Sequence, residues 1–174
     1  MRDLQVDDLH FEVPESWEMQ EPSSSARKAQ FVLPGAGSDE ASDANLVIYY
    51  FGSGGAGNLQ ANIDRWVGQF EDESGNPPTS TARIEERTVA DTKILTVDVA
   101  GRYVAETSPG SGEHVDQADY RMLAAVIDAP AGRYYVKAVG PRETIDLCDA
   151  SFTKFLDSLQ HRPTGSTVTG SAHP

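Results

Sequence analysis

Residues 120–159 constrain the fold more than any other stretch, because they spell out strand, tight turn, strand and helix in immediate succession. Tyr120–Asp128 (YRMLAAVID) is an apolar run of strand length. Ala129-Pro130-Ala131-Gly132 has turn chemistry, and Arg133–Val139 (RYYVKAV) is rich in aromatic and β-branched residues. A hairpin feeding a helix is predicted. Gly140-Pro141 breaks the second strand and puts proline near the first helical position, where its missing N–H costs nothing. Ile145, Cys148, Phe152, Phe155, Leu156 and Leu159 then recur mostly in steps of three and four, one stripe down a helix.

Upstream, Leu9, Phe11 and Val13 alternate with His10 and Glu12, the period of a strand with one buried face, and Pro14 ends it. Trp17 in the following turn is expected to fold back on the core, since an indole has a large area to bury. Arg27–Leu33 (RKAQFVL) is a second strand, followed by an acidic linker over residues 36–44. Asn45–Phe51 (NLVIYYF), apolar on both faces, reads as a central strand covered on each side. Leu59, Ile63, Trp66, Val67 and Phe70 fall at helical spacing behind Asn58 as N-cap. Arg83–Thr88 and Lys93–Val104 form an antiparallel pair through the short Ala90-Asp91-Thr92 turn. The sum is about seven strands, mostly antiparallel, and two helices whose stripes need a sheet face each, in a single domain over residues 1–160. The tail from residue 161 lacks periodicity and is expected to be disordered.

Several function classes are disfavoured by composition. Twenty-seven acidic against fourteen basic side chains give a net charge of −13, which repels nucleic acid and anionic lipid. No segment approaches the roughly 18 apolar residues of a membrane span. The lone Cys148 sits on the apolar helical stripe and reads as packing, not as a nucleophile. The N-terminal MRDLQVDDLHF carries neither a signal h-region nor a lipobox cysteine, so the chain as written reads as cytoplasmic, or as exported if a leader has been removed.

The order of elements, with the phrases FEVPESWE, AQFVLPG, NIDRWVGQF and YYVKAVGPRETID…FTKFLDSL, resembles the PsbP-like superfamily over most of residues 8–159. These are α/β/α sandwiches on a largely antiparallel sheet, among them extrinsic subunits of the photosynthetic oxygen-evolving complex and a fungal nuclear-import factor that binds the GTPase Ran. The resemblance implies an α/β/α sandwich and a non-enzymatic accessory or binding protein, and carries no metal-binding residue over to this chain.

Candidate sites are few. Gly52, Gly54 and Gly57 match the letters G-x-G-x-x-G between a strand and a helix, but the second parallel strand and ribose-binding acid of a dinucleotide site do not follow; the reading is a flexible connection. Glu113, His114, Asp116 and Asp119 crowd one loop with oxygen and imidazole groups suited to a divalent cation, at a spacing that fits no EF-hand or zinc cage. No G-x-S-x-G elbow accompanies the histidines. Tyr49, Tyr50, Tyr134 and Tyr135 are adjacent aromatics that point to opposite faces of their strands, a candidate partner surface. The expectation is a non-catalytic accessory or protein-binding module without cofactor, with a protein partner, as a monomer or weak dimer. A small-ligand or divalent-metal binder is the alternative, and a hydrolase with an acidic site the third reading.

Overall fold

The computed structural model describes residues 2–22, 27–35, 42–50, 58–106 and 112–161. The chain runs β1 (Arg2–Val6), β2 (Leu9–Val13), β3 (Glu18–Gln20), β4 (Arg27–Leu33), β5 (Ala44–Tyr50), α1 (Leu59–Gly68), β6 (Phe70–Glu71), β7 (Arg83–Val89), β8 (Thr92–Tyr103), β9 (Gln117–Ala129), β10 (Gly132–Pro141), α2 (Arg142–Asp157) and β11 (Gln160–His161). The large sheet has the order β3-β4-β5-β10-β9-β8-β6, with β7 also paired to β8, and every pairing is antiparallel. A second sheet of order β1-β2-β11 lies apart from it.

The architecture is the expected sandwich on an antiparallel sheet, with eleven strands in place of about seven. All four additional strands are short: β1, β3, β6 and β11 offer at most two buried side chains each, too few for an alternation to stand out. β3 and β6 extend the large sheet, whereas β1 and β11 flank β2 in the small sheet and make one outer layer mixed. α2 and the small sheet together cover one face of the large sheet, sharing a core of Phe11, Trp17, Phe31, Ile48, Ile127, Val136, Phe155 and Leu156. The ring of Phe155 stacks on Phe11 at 4.6 Å and meets Trp17 at 5.6 Å, which places the expected indole in the core. On the opposite face α1 packs through Ile63, Trp66 and Val67 against Val97, Val99, Met122, Ala124, Val126 and Tyr135 of β8, β9 and β10.

Local chemistry explains where the elements begin and end. The Asn58 side chain accepts a hydrogen bond from the Ala61 N–H at 3.1 Å and caps α1. The turn between β7 and β8 is two residues, Ala90 and Asp91, both at positive φ (52° and 63°), which matches the right-handed twist of the flanking strands. Thr92 already belongs to β8. Gly140-Pro141 does not break β10 where it was expected to: the strand pairs with β9 as far as Pro141↔Tyr120. Proline is tolerated there because pairing with β5 has stopped at Val139↔Asn45, leaving that side of the strand open. Gly140 is required by close approach, since a Cβ would lie 2.5 Å from that of Ala44. α2 closes against the small sheet: the Ser158 hydroxyl donates to Phe155 C=O at 2.6 Å and accepts from the Glu12 N–H of β2 at 2.7 Å.

Candidate functional site

Antiparallel register divides the aromatic pairs between the two faces. Tyr50 and Tyr134 stack at 4.6 Å on the α2 side, and the Tyr134 hydroxyl donates to Asp7 Oδ2 at 2.6 Å. Burial first, and the Asp7 carboxylate after it, pushes the Tyr134 phenol well above the ordinary range. Tyr49 and Tyr135 are cross-strand neighbours on the α1 side, where Tyr135 meets Trp66 edge-on at 6.2 Å. Tyr134 and Tyr135 are buried, whereas Tyr49 and Tyr50 are half-exposed, with cations above their rings: Arg27 Cζ at 5.5 Å from Tyr49 and Lys28 Nζ at 5.7 Å from Tyr50. The four tyrosines therefore form two separate pairs on opposite faces.

The acidic candidates are spread along one segment. Asp119 is a residue of β9 with φ 54°, Asp116 pairs with Arg102, and the main chain of His114 forms an antiparallel bridge with that of Glu106. Among the described residues, no three His, Cys, Asp or Glu side chains come together as a metal-holding group. Gly52, Gly54 and Gly57 lie outside the described residues. Cys148 is buried in the α2 layer, and burial pushes its thiol up.

Two features that sequence reasoning passed over stand out. The first is a crevice of about 190 Å³ between the edge strand β7 and the flank of α2, lined by Arg83, Glu85, Arg87, Thr96, Asp98 and Asp149 around Leu123, Phe152 and Leu156. Its inner end is held by Arg121. The Arg121 guanidinium, only 12% exposed, grips Asp98 through Nε–H at 3.0 Å and Nη2–H at 2.8 Å. It also donates to Asp146 at 2.6 Å and Asp149 at 2.9 Å. One side chain thus ties β9 to β8 and to the first half of α2. Asp98 also receives Arg83 at 3.2 Å. Burial alone would raise the Asp98 carboxyl, but the bonds and charges of Arg121 and Arg83 outweigh it and hold the group below its ordinary value. Arg87 closes the outer end on Asp157 at 3.2 Å. The signal in the sequence was a single arginine at the head of an apolar strand and two aspartates three apart beside the α2 stripe.

The second feature is Lys137, in the middle of β10. It faces the α1 layer, in one cross-strand row with Gln30, Val47, Ala124 and Val97. Its ammonium donates to Gln69 Oε1 at 2.8 Å and Tyr103 Oη at 3.2 Å and pairs with no carboxylate among the described residues. Burial, then the nearby charges of Arg65 and Arg27, pushes the amine down to about 8. The Tyr103 phenol is pushed up to about 12, mainly by burial.

No family model and no curated protein matches the chain. Solved structures do. The cyanobacterial PsbP protein (CyanoP) from Synechocystis sp. PCC 6803 aligns over 89% of this chain and 87% of its own, with a TM-score of 0.51 and 14% identity. LpqN, involved in cell envelope biogenesis of Mycobacterium tuberculosis, aligns over 89% of this chain and 83% of its own, with a TM-score of 0.55 and 11% identity. The chain has a PsbP-like fold. That agrees with the resemblance read from its strand and helix phrases. At such identities the shared property is the fold, and the PsbP-like scaffold accounts for the sheet and both helical layers. No helix among the described residues is long and apolar enough to cross a membrane.

Proposed function

We propose that this chain is a non-catalytic binding module that receives an extended segment of a partner protein along the open edge of β7, beside the crevice against α2. The observation that supports this reading most directly is the edge itself. β7 is seven residues long, is paired only with β8 among the described strands, and is exposed along most of its length, with Ile84 presenting 47% of its surface. Such an edge offers main-chain hydrogen bonds to an added strand, while pockets beside it select side chains.

The crevice suits that second role. Its inner part, about 190 Å³, is on the scale of one or two partner side chains, and it opens outward into a wider groove of about 690 Å³ along Glu85, Glu86, Arg87, Thr96 and Thr153 that has room for an extended segment. Leu123, Phe152 and Leu156 supply an apolar floor, and Arg83, Glu85 and Arg87 supply charges of alternating sign along the rim. The ionised groups around it are tied to one another, Arg83 to Asp98, Arg87 to Asp157 and Arg121 to Asp149. This arrangement suits docking better than proton transfer. A partner strand with acids opposite Arg83 and Arg87 and a base opposite Glu85 would complement it. The same alternating charges discourage indiscriminate pairing of edges.

The test is selection of extended heptapeptides on the immobilised chain, followed by anisotropy titration against Thr153→Trp. Thr153 is a half-buried residue of α2 at the crevice mouth, so an indole there obstructs the groove without entering the core. Peptides selected on the wild type are expected to lose about tenfold or more in affinity. Unchanged affinity would remove the crevice from the binding surface.

A further inference from the structure

Among the described residues, the apolar cover of the α1 face of the large sheet is concentrated on one half of it. The apolar residues of α1 pack on β8, β9 and β10, and from β4 and β5 only Tyr49 joins that cluster, as a partly buried neighbour. Val47, although buried, belongs to neither apolar cluster. Among the described residues, the α1 flank therefore rises as a step beside the half-buried side chains of Arg27, Gln30 and Tyr49, with Val47 buried between them. Lys137 lies at the foot of the step.

Cations dominate this place, in a chain whose net charge is −13. Lys137 stands at the foot of the step, Arg65 is in the last turn of α1 and exposed, and Arg27 approaches from β4 above the Tyr49 ring. The groups facing Lys137 are Arg65 from α1, Gln69 at the α1 C-cap, Tyr103 from β8 and Arg27 from β4; Tyr120 of β9 stacks behind Tyr103 at 5.7 Å. None of them is an acid. Lys137 is half-buried, and an ammonium drawn out of water is ordinarily matched by a carboxylate, because desolvating an unmatched charge is expensive. Here its partners are a neutral amide and a phenol, with the Tyr103 ring face 5.5 Å away. Arg65 does bond to the Asn62 side-chain oxygen, which leaves the Asn62 Nδ2 buried with no partner among the described residues.

We infer that the step between α1 and the β4–β5 half of the sheet is a binding site for a small oxyanion, its negatively charged oxygens held by Lys137, Arg65 and Arg27. Guanidinium groups bind carboxylate and phosphate oxygens through paired N–H donors, and Lys137 adds a point charge between them. The anion supplies the countercharge that the described residues around Lys137 do not. Carboxylates and inorganic phosphate share this chemistry, and the experiment separates them. The site is independent of the β7 crevice, which lies at the other face.

The experiment is isothermal titration of the full chain at pH 8 and constant ionic strength with succinate, citrate and inorganic phosphate in separate runs, chloride serving as control. Saturable heat with an oxyanion and none with chloride is expected. The tightest of the three identifies the source as carboxylate or phosphate. Because the amine is partly neutral near pH 8 and the anion favours its charged form, binding should take up protons, seen as a heat that varies with the ionisation enthalpy of the buffer. Lys137→Met and Arg65→Gln should each weaken binding by about tenfold or more. Lys137→Met should also abolish the proton uptake. No saturable heat with any of the three oxyanions, or wild-type affinity in either variant, overturns the site.

Discussion

Replacing Lys137 by methionine is expected to stabilise the protein near neutral pH. The amine is lowered from 10.5 to about 8 in the folded chain, first by burial and then by Arg65 and Arg27, while the unfolded chain keeps the ordinary value. Between those limits the unfolded state binds more protons, so stability rises with pH across the window of about 8 to 10.5. Below the window both states are protonated and the folded state bears the full cost of the buried charge. At 1.36 kcal/mol for each tenfold change in proton affinity, that cost is about 3 kcal/mol. Methionine fills the lysine stem without the charge and forfeits the bonds to Gln69 and Tyr103, worth about 1 kcal/mol each. The net expectation is a gain of about 1 kcal/mol at pH 7 that falls to zero near about pH 9 and reverses above it. Urea unfolding of both proteins at pH 7, 8, 9 and 10 measures the difference and cancels other titrations. A variant less stable at pH 7, or a difference that does not change with pH, would refute the reasoning.

Three further outcomes follow from the packing. Phe155→Ala removes a ring with no exposed surface that contacts Phe11, Trp17 and Phe152, and should cost about 3–5 kcal/mol in chemical unfolding; a midpoint that barely moves would remove α2 from the core. Arg121→Ala leaves Asp98, Asp146 and Asp149 facing one another and should cost about 3 kcal/mol at pH 7. Asp98 is held low, so its contribution is present above its unfolded value and lost as pH falls, and the Arg121→Ala deficit should shrink toward pH 3; a deficit equal at both pH values contradicts the ion-pair account. Asp91→Gly relieves a non-glycine residue at φ 63° in the β7–β8 turn and should raise stability by about 1 kcal/mol, whereas a loss would show that the aspartate side chain is needed there.

What the sequence made legible follows from periodicity and local chemistry. The α2 stripe, the Asn58 cap, the inward Trp17 and the splitting of the tyrosine pairs between faces could all be read from spacing, because each depends on residues a few positions apart. Both charged features depend on register. Arg121 reads as one polar residue in an apolar run until β8 is laid beside β9 and α2 across it. Lys137 occupies an ordinary alternating position in RYYVKAV, and its isolation from carboxylates appears only when its cross-strand neighbours prove to be Val47 and Ala124. The edge role of β7 was hidden for a similar reason, since strand order is a long-range property.

The central claim, docking of an extended segment on β7, is tested most directly by mapping amide shifts of the isotopically labelled full chain with a peptide selected as described. The account predicts perturbations concentrated in Arg83–Val89, Thr96–Asp98 and the Asp149–Leu156 flank of α2, with slowed amide exchange along β7. Perturbations centred on another face, or no peptide with saturable binding, would contradict it.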